Sequence, residues 1–573
     1  MKINVQKIED IVGADNVTTD AESRTLYAKD ISSLPPMANQ IISGQFDLVI
    51  QPVTVKSLMH LIEYLQGQKI PVVPRGSGTS GWGGTLPTKG GVCISMLQMA
   101  KILHIDEYNL LVTVEAGITW RELLMFLERV GLTLPVYPSS AAAATVGGFV
   151  ASGGVGIGSA KYGNIKDQVV GIEVVLPNGL LARTGKVVLS GEDQLAEDSE
   201  RGMDWLNAKL GQDDDTKDID PHQLFMETYG VFGFITKVTL RLIPKLMFRS
   251  FACSFEDISS MVAAAAEITA KVNPYHLRYL TDTYSSKLLS LRIRKAEFGK
   301  FILSGALLDI VYEVEDAVEK IESIVEAHNG ILLDNNRSQF YWRERLYPLR
   351  IKSLGPSLVP AEAILPLKSI PEMFEDTSKA LRNSNAAIEG TISRDGAASF
   401  LVWILDDERK KIAYTLGWYR SFDLARLAKT HGGKPYAVAL WNVPFADEFY
   451  GTPYLRKLKS AKRSIDPENL VNPTKVFGGR VKAAKESLAF GFLSGFAVLV
   501  ILQAFGPQFL GWTWLSTLLW NPIIPSIPLP IAFFLGILGG IIGFLFIRIL
   551  SLSTALKLGI PLLRGFSRLL RLK

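Results

Sequence analysis

Apolar and polar positions alternate with two different periods along the first 480 residues, and polar positions nearly vanish beyond them. DLVIQPVT (47–54) and IPVVP (70–74) are β-type runs. Between them VKSLMHLIEYLQGQ (55–68) carries apolar residues at helical spacing, with Gly67 as a stop. This β-α-β order ends at a glycine-dense loop, where α/β proteins place ligands. VCISMLQM, LLVTVEAG and GIEVVLPNG (171–179) predict further strands. TWRELLMFLERVG (119–131) predicts a helix with Leu123, Leu124, Leu127 and Val130 on one apolar face. Residues 1–30 predict a helix ahead of YAKDISSLPP, and the acidic, poorly periodic stretch 190–222 reads as a solvated insertion. From about 245 the order becomes strand–helix–strand–helix, through KLMFRSFACSF, MVAAAAEITAKV, FILSGALLDIVYEV and EDAVEKIESIVEAHNG, which suits an α+β unit.

Two stretches of small residues stand apart from this pattern. PVVPRGSGTSGWGG (71–84) combines five glycines with Ser77, Thr79 and Ser80. Successive exposed N–H groups in such a turn form a concave anion site that suits a pyrophosphate. A tight structural turn is the alternative, since neither a Walker A lysine pattern nor a strict GxGxxG is present. PSSAAAATVGGFVASGGVGIGSAKYG (138–163) is longer, with Lys161 as its one charge. Small side chains over that length imply a backbone pressed against something flat and extended.

These loops, with GIEVVLPNG, YGVFGFITKVTLRLIP (229–244) and DPENLVNPTKVF (466–477), resemble in combination and order the FAD-linked oxidase superfamily of vanillyl-alcohol oxidase, or PCMH-type, fold. The resemblance spans roughly residues 1–478. It is nearest to the D-lactate, glycolate and D-2-hydroxyglutarate dehydrogenase branch. It implies an α+β architecture: a two-subdomain PCMH-type FAD-binding domain over 1–245, an α+β substrate cap over 246–461, and a return to the FAD domain over 462–481. It also implies that Arg75, Gly76, Ser77, Gly78, Thr79 and Ser80 hold the FAD phosphates. Pro138, Thr145, Gly147, Gly148, Ser152, Gly153, Gly158, Tyr162 and Gly163 would wrap the adenosine and ribityl parts. The backbone at Gly233–Ile235 would approach the flavin ring, and Asn472 would come from the return. Some relatives attach FAD through a histidine in the first loop. Gly78 and Thr79 stand there, and 138–163 holds no Cys or His, so non-covalent FAD is expected.

For catalysis, YWRERLYPLRIKS (341–353) offers Arg343, Arg345 and Arg350 to a substrate carboxylate, which arginine grips bidentately. The branch has such an arginine close to Arg343. A basic helix face is the alternative reading. The branch also carries an HxxDGNLH-like strand motif and a later EHG, which supply a metal site and a catalytic histidine. Here EGTISRDGAASFLVWIL (389–405) keeps Asp395–Gly396 but has Ile392 and Ser399 at the histidine positions. AKTHGGKPY (428–436) has Thr430 for the glutamate and keeps His431–Gly432. Isoleucine cannot ligate a metal and serine or threonine rarely does, so no metal is expected. His431 becomes the expected base, its near-neutral pKa suiting a hydroxyl proton. A surface histidine at a helix end is the competing reading. Tyr436, Glu389, Tyr450 and Tyr454 are secondary candidates for substrate contact. HGGKPY also resembles the GGRPH-type segment of aldonolactone and alditol oxidases, which keeps sugar-like substrates open.

Charge and the C-terminal stretch change the picture last. The formal charge is +5, and from Lys482 onward eight basic residues face one acid, a net of +7 that leaves −2 for residues 1–481. Nucleic acid is therefore excluded as a partner. The two cysteines, Cys93 and Cys253, fit no CxxC pattern, which suits a reducing compartment, and MKINVQKIEDIV lacks the apolar core of a signal peptide. Residues 487–505 and 531–550 are apolar, with Arg548 the one charge, and each is long enough to span a bilayer core of about 30 Å. Basic flanks on the outside of the pair predict a two-helix membrane hairpin with a cytoplasmic catalytic body, and 551–573 a basic amphipathic segment on lipid. The expected activity is oxidation of an alcohol, a 2-hydroxy acid or a polyol, by hydride transfer to FAD, with quinone as acceptor. The rivals are an FAD enzyme acting on a lipid-linked sugar or a sterol-like double bond, and a non-catalytic FAD-binding membrane scaffold.

Overall fold

The computed structural model describes residues 3–31, 44–189, 193–291, 300–355, 357–381 and 385–478. The two apolar runs at 487–505 and 531–550 and the basic segment 551–573 lie outside the described residues. Among the described residues no helix is long and apolar enough to cross a membrane.

The N-terminal half builds two main sheets and a two-stranded pair, Leu132–Thr133 with Ile243–Pro244. In the first, Leu48–Ile50 and Val72–Arg75 lie parallel to Val92–Ser95 on either side of it, and Val55–Gly67 is the crossover helix. Thr54 caps that helix through Ser57 N, and Leu58, Leu61, Ile62 and Leu65 bury its apolar stripe. The second sheet is antiparallel, with Phe234–Arg241 between Leu111–Glu115 and Val169–Val175. Helix Trp120–Arg129 starts at a Thr119/Glu122 capping box. It buries Trp120, Leu123 and Leu127, whereas Val130 stays exposed, so the apolar face is rotated towards Trp120 from the expected one.

Two expectations are corrected here. Residues 1–30 form two short helices, Val5–Val12 and Ala21–Tyr27, because Gly13 (φ +89°) stops the first and Asp20 caps the second. The stretch 190–222 is more than a solvated insertion: it contains helix Ala196–Leu210, which buries Leu206 and Leu210 on strand Leu181–Gly185. Gly202 permits that approach, since a Cβ there would stand 1.6 Å from the Leu181 carbonyl oxygen.

From Met247 onward the chain forms an eight-stranded antiparallel sheet. Its order is Ile331–Leu332, Met247–Phe255, Phe301–Asp309, His276–Leu280, Asn385–Thr391, Ala397–Asp406, Ser357–Pro366 and Lys434–Pro435. Helices Ile258–Lys271, Val311–Ala327, Ile370–Ala380 and Lys411–Thr430 pack on one face, over Leu277, Tyr279, Ile388, Phe400, Val402, Val359 and Ala361. Successive strand residues point to opposite faces. The other face therefore carries His276, Arg278, Glu389, Ser399, Leu401, Trp403 and Glu362, and it lies over the glycine loops.

The chain then returns to the N-terminal half through helix Thr452–Ile465. A buried pair locks this return: Lys462 Nζ lies 2.6 Å from Asp466 Oδ2 and donates to the Val471 carbonyl at 2.8 Å. Asp466 also accepts from the backbone N–H groups of Leu470 and Val471. Breaking one partner of such a pair strands the other in a dry site. Asp466→Ala is expected to cost about 3–5 kcal/mol in urea unfolding of the purified chain. Glu468→Ala, which removes an exposed partner of Lys69, is expected to cost under about 1 kcal/mol.

Candidate functional site

A cavity of about 630 Å³ lies between the polar face of the large sheet and the two glycine loops. Strand Val72–Arg75 delivers the first loop to it, and Thr145 delivers the second by capping the short helix Val146–Ser152 through Gly148 N. The loops touch each other. A Cβ on Gly76 would stand 2.2 Å from Thr145 Oγ1, and one on Gly147 would stand 2.6 Å from the Ala116 Cβ. Gly78 (φ +71°) and Gly153 (φ +69°) adopt left-handed backbone, which favours glycine. The result is a long wall of bare backbone with the Ser77, Thr79 and Ser80 hydroxyls beside it. Such a wall fits the pyrophosphate and ribityl chain of a dinucleotide.

Arg75, Gly76, Ser77, Gly78, Thr79, Ser80, Pro138, Thr145, Gly147, Gly148, Ser152, Gly153 and Ile235 all line this cavity. Arg75 ties the first loop to the N-terminal segment, with Nη1 donating to the Tyr27 and Lys29 carbonyls at 3.0 and 2.8 Å. Gly158, Tyr162, Gly163 and Asn472 stand behind the wall. Gly158 (φ +93°) packs on the Pro135 carbonyl, Gly163 packs on Asp167, and the Tyr162 carbonyl accepts from Gln168. Asn472 is buried and donates to the Gly84 and Tyr229 carbonyls at 3.0 and 2.6 Å, so it supports two residues of the cavity wall.

The catalytic expectations fare differently. His431 does not line the cavity. It ends helix Lys411–Thr430 on the helix-covered face of the sheet, with Nε2 3.2 Å from Asp376 and Nδ1 3.6 Å from Glu372. Arg343 is exposed, and its Nε donates to the Gln339 carbonyl of its own helix. Helix Asn335–Glu344 ends one residue later, and this turns Arg345 into the cavity instead. The Arg345 guanidinium stacks 3.6 Å above the Trp342 ring and donates to the Trp342 carbonyl and to Tyr137 Oη, while its buried Nε has no partner. Arg350 also lines the cavity, paired with Glu344 at 2.7 Å.

Of the secondary candidates, Glu389 and Tyr436 line the cavity; Tyr450 instead donates to the Glu227 carbonyl, and Tyr454 stacks beside it. Tyr436 Oη donates to the Val155 carbonyl at 3.1 Å, which pins the second loop beneath the sheet. Glu389 is buried. Its Oε2 accepts from Arg278 Nε at 2.8 Å and its Oε1 from Trp403 Nε1 at 2.7 Å. Glu362 follows in the same row across the strands, with Leu401 between them. No described residue gives the Glu362 carboxylate a hydrogen bond, and burial together with the Glu389 charge pushes its carboxyl up to about 8. His276 is the reverse case. Neither ring nitrogen has a partner among the described residues, and burial beside Arg278 and Arg345 holds the imidazole down to about 3.

At the positions of the implied metal motif, Ile392 sits in the apolar core under the helices and Ser399 Oγ accepts from Thr391 N at 3.0 Å. Among the described residues no group of three His, Cys, Asp or Glu could hold a metal ion.

Comparison with known proteins agrees with this geometry. The FAD binding domain model matches residues 46–185, and the model of the C-terminal domain of FAD linked oxidases matches 248–476. Glycolate oxidase subunit GlcD of Bacillus subtilis (strain 168) is 25% identical over 491 residues, which cover 82% of this chain and 96% of that protein. A mitochondrial D-lactate dehydrogenase (cytochrome) of Arabidopsis thaliana is 25% identical over 483 residues, covering 81% of this chain and 78% of the relative. Among solved structures, p-cresol methylhydroxylase with substrate bound superposes with a TM-score of 0.65 at 16% identity, covering 82% of this chain and 96% of that one, which shows the shared fold. The chain therefore belongs to the FAD-linked oxidase superfamily and is an FAD-dependent oxidoreductase.

Proposed function

We propose that this enzyme oxidises the CH–OH group of a 2-hydroxy acid to a carbonyl. The observation that carries the reading is one cavity in which Arg345 and Glu362 face a wall shaped for FAD. The names of the relatives, glycolate oxidase subunit and D-lactate dehydrogenase, point the same way. FAD, when bound, supplies the hydride acceptor. Arg345 holds the substrate carboxylate through its guanidinium N–H groups, fixed in direction by the Trp342 stack. Glu362 takes the hydroxyl proton as the carbon gives up its hydride, and the CH–OH becomes C=O. A base whose pKa lies near the working pH is best matched to that task. Glu389, fixed by Arg278 and Trp403, keeps a negative charge in the same row as Glu362 and so favours the protonated form of Glu362.

The reading extends to the C-terminal segment. Runs 487–505 and 531–550 anchor the enzyme as a membrane hairpin, the body faces the cytoplasm, and electrons pass on to quinone. Support comes from the length and purity of the runs and from the basic residues outside them.

Anaerobic flavin reduction by 2-hydroxy acids tests the chemistry. Glu362 must be deprotonated to act, so the reduction rate is expected to rise with pH through about 8 and then level. Glu362→Gln should lower it by about 10²–10⁴-fold and flatten the profile. A wild-type rate that falls over that range would overturn the assignment. Arg345→Ala is expected to raise KM about 10- to 100-fold, the loss of a charge-assisted hydrogen bond, whereas Arg343→Ala stays within about twofold, as expected of an exposed substitution. Truncation after residue 481 should move the enzyme from the membrane fraction to the soluble fraction with flavin still bound; a full-length chain that is soluble without detergent would sink the anchor.

A further inference from the structure

The charge inventory of the cavity restricts the acid. Among the described residues four arginines line it. Arg75 is held by the backbone carbonyls of Tyr27 and Lys29. Arg278 is neutralised by Glu389, and Arg350 by Glu344. Among the described residues Arg345 has no carboxylate partner, and its buried Nε–H is unsatisfied. His276 beside it stays neutral, so it adds hydrogen-bonding capacity and no second positive charge. The carboxyl groups of Glu362 and Glu389 stand on the same sheet face, and neither offers a positive charge to a second carboxylate. A buried unpaired charge is strongly disfavoured.

The remaining wall on that side is mainly apolar, with Leu346, Tyr347, Leu349, Pro360, Leu401 and Trp403 beside Thr391 and Ser399. The apolar surface continues outward. Trp342, which stacks under Arg345, lies 4.8 Å ring to ring from Phe248, and Phe248 and its neighbour Met247 are 39% and 44% exposed.

We propose that the substrate is a 2-hydroxy monocarboxylic acid with an apolar side chain longer than that of lactate, its single carboxylate on Arg345 and its side chain along Leu349, Leu401 and Trp403. This inference rests on the hydroxy-acid reading above and narrows it. The reaction balances as that reading has it: two electrons leave the substrate carbon as hydride for FAD, and the hydroxyl proton goes to Glu362.

The test is anaerobic flavin reduction in the full-length holoenzyme by glycolate and by both enantiomers of lactate, 2-hydroxybutanoate, 2-hydroxyhexanoate, malate and 2-hydroxyglutarate. Each buried methylene is expected to raise kcat/KM roughly fourfold, so 2-hydroxyhexanoate should exceed lactate by about 60-fold. Malate should trail 2-hydroxybutanoate, of equal chain length, by more than about 100-fold, the cost of burying an unpaired charge. Binding of the unreactive acids pentanoate and butanedioate, followed by the flavin spectrum, gives a readout free of chemistry, and pentanoate should bind more tightly. Leu349→Lys is expected to reverse both preferences; if that variant does not fold, the wild-type series and the binding pair decide alone. A flat series, or preference for the diacids, overturns the inference while leaving hydroxy-acid oxidation in place. No reduction by any 2-hydroxy acid, with flavin bound, overturns both.

Discussion

A β-strand must send neighbouring side chains to opposite faces, and the active cavity depends on that constraint. In His276–Leu280 the odd positions join the helix-covered core and the even ones, His276 and Arg278, meet the cavity. The same division holds in Ser357–Pro366, where Val359 and Ala361 go inward to the helices and Pro360 and Glu362 go to the cavity. In Ala397–Asp406, Phe400 and Val402 oppose Ser399, Leu401 and Trp403. A register slip of one residue in any of these strands would exchange the two sets. The apolar core under four helices therefore fixes the charges of the site, because the energy of burying Phe400 or Tyr279 would be lost together with the placement of Glu389 or Arg278.

Within that frame, the electrostatics divide into settled and unsettled charges. Glu389 has each oxygen engaged by a buried donor, so it is an anion with no freedom to move. Glu362 has no such donor, and burial together with the Glu389 charge pushes its carboxyl up to about 8. A carboxyl in that position can hold or release a proton at little cost near neutrality. Arg345 is the corresponding cation. Its neighbours Arg278 and Arg350 are spent on carboxylates, while Arg345 is held in place by an aromatic ring and a carbonyl, neither of which cancels its charge.

Much of the cofactor wall was legible in the sequence, because its demand is local: bare backbone needs glycine and small residues in succession, and these fall in two contiguous runs. Gly158, Tyr162, Gly163 and Asn472 stand behind the wall because a motif marks a stretch of chain, and only part of a stretch can face one ligand. The catalytic side was less legible. Its residues come from four strands and a helix end far apart in the chain, and a motif centred on His431 drew attention to the wrong face of the sheet. One signal was present: His276 and Arg278 alternate with Leu277 and Tyr279 in HLRYL, and Glu362 is a lone charge in an otherwise apolar strand, which marks a face that helices do not cover. The helix at 196–210 was missed for a related reason, since Gly202 and Ser199 bury a stripe that carries little hydrophobicity.

The histidine positions of the implied metal motif bear on how the chemistry is organised. Ser399 remains on the cavity face, in register with the strand that carries Glu389, but its hydroxyl is committed to the Thr391 N–H. Ile392 fills apolar core, and His431 is tied to two acids of helix Ile370–Ala380. Among the described residues the positively charged side chains on this face are guanidinium groups, which are directional and unable to bind hydroxide. A site built on them must orient its substrate by hydrogen-bond geometry and take the proton on a separate group. In the proposed reaction Arg345 and Glu362 divide the work in that way, and the buried Arg278–Glu389 pair sets the field around Glu362.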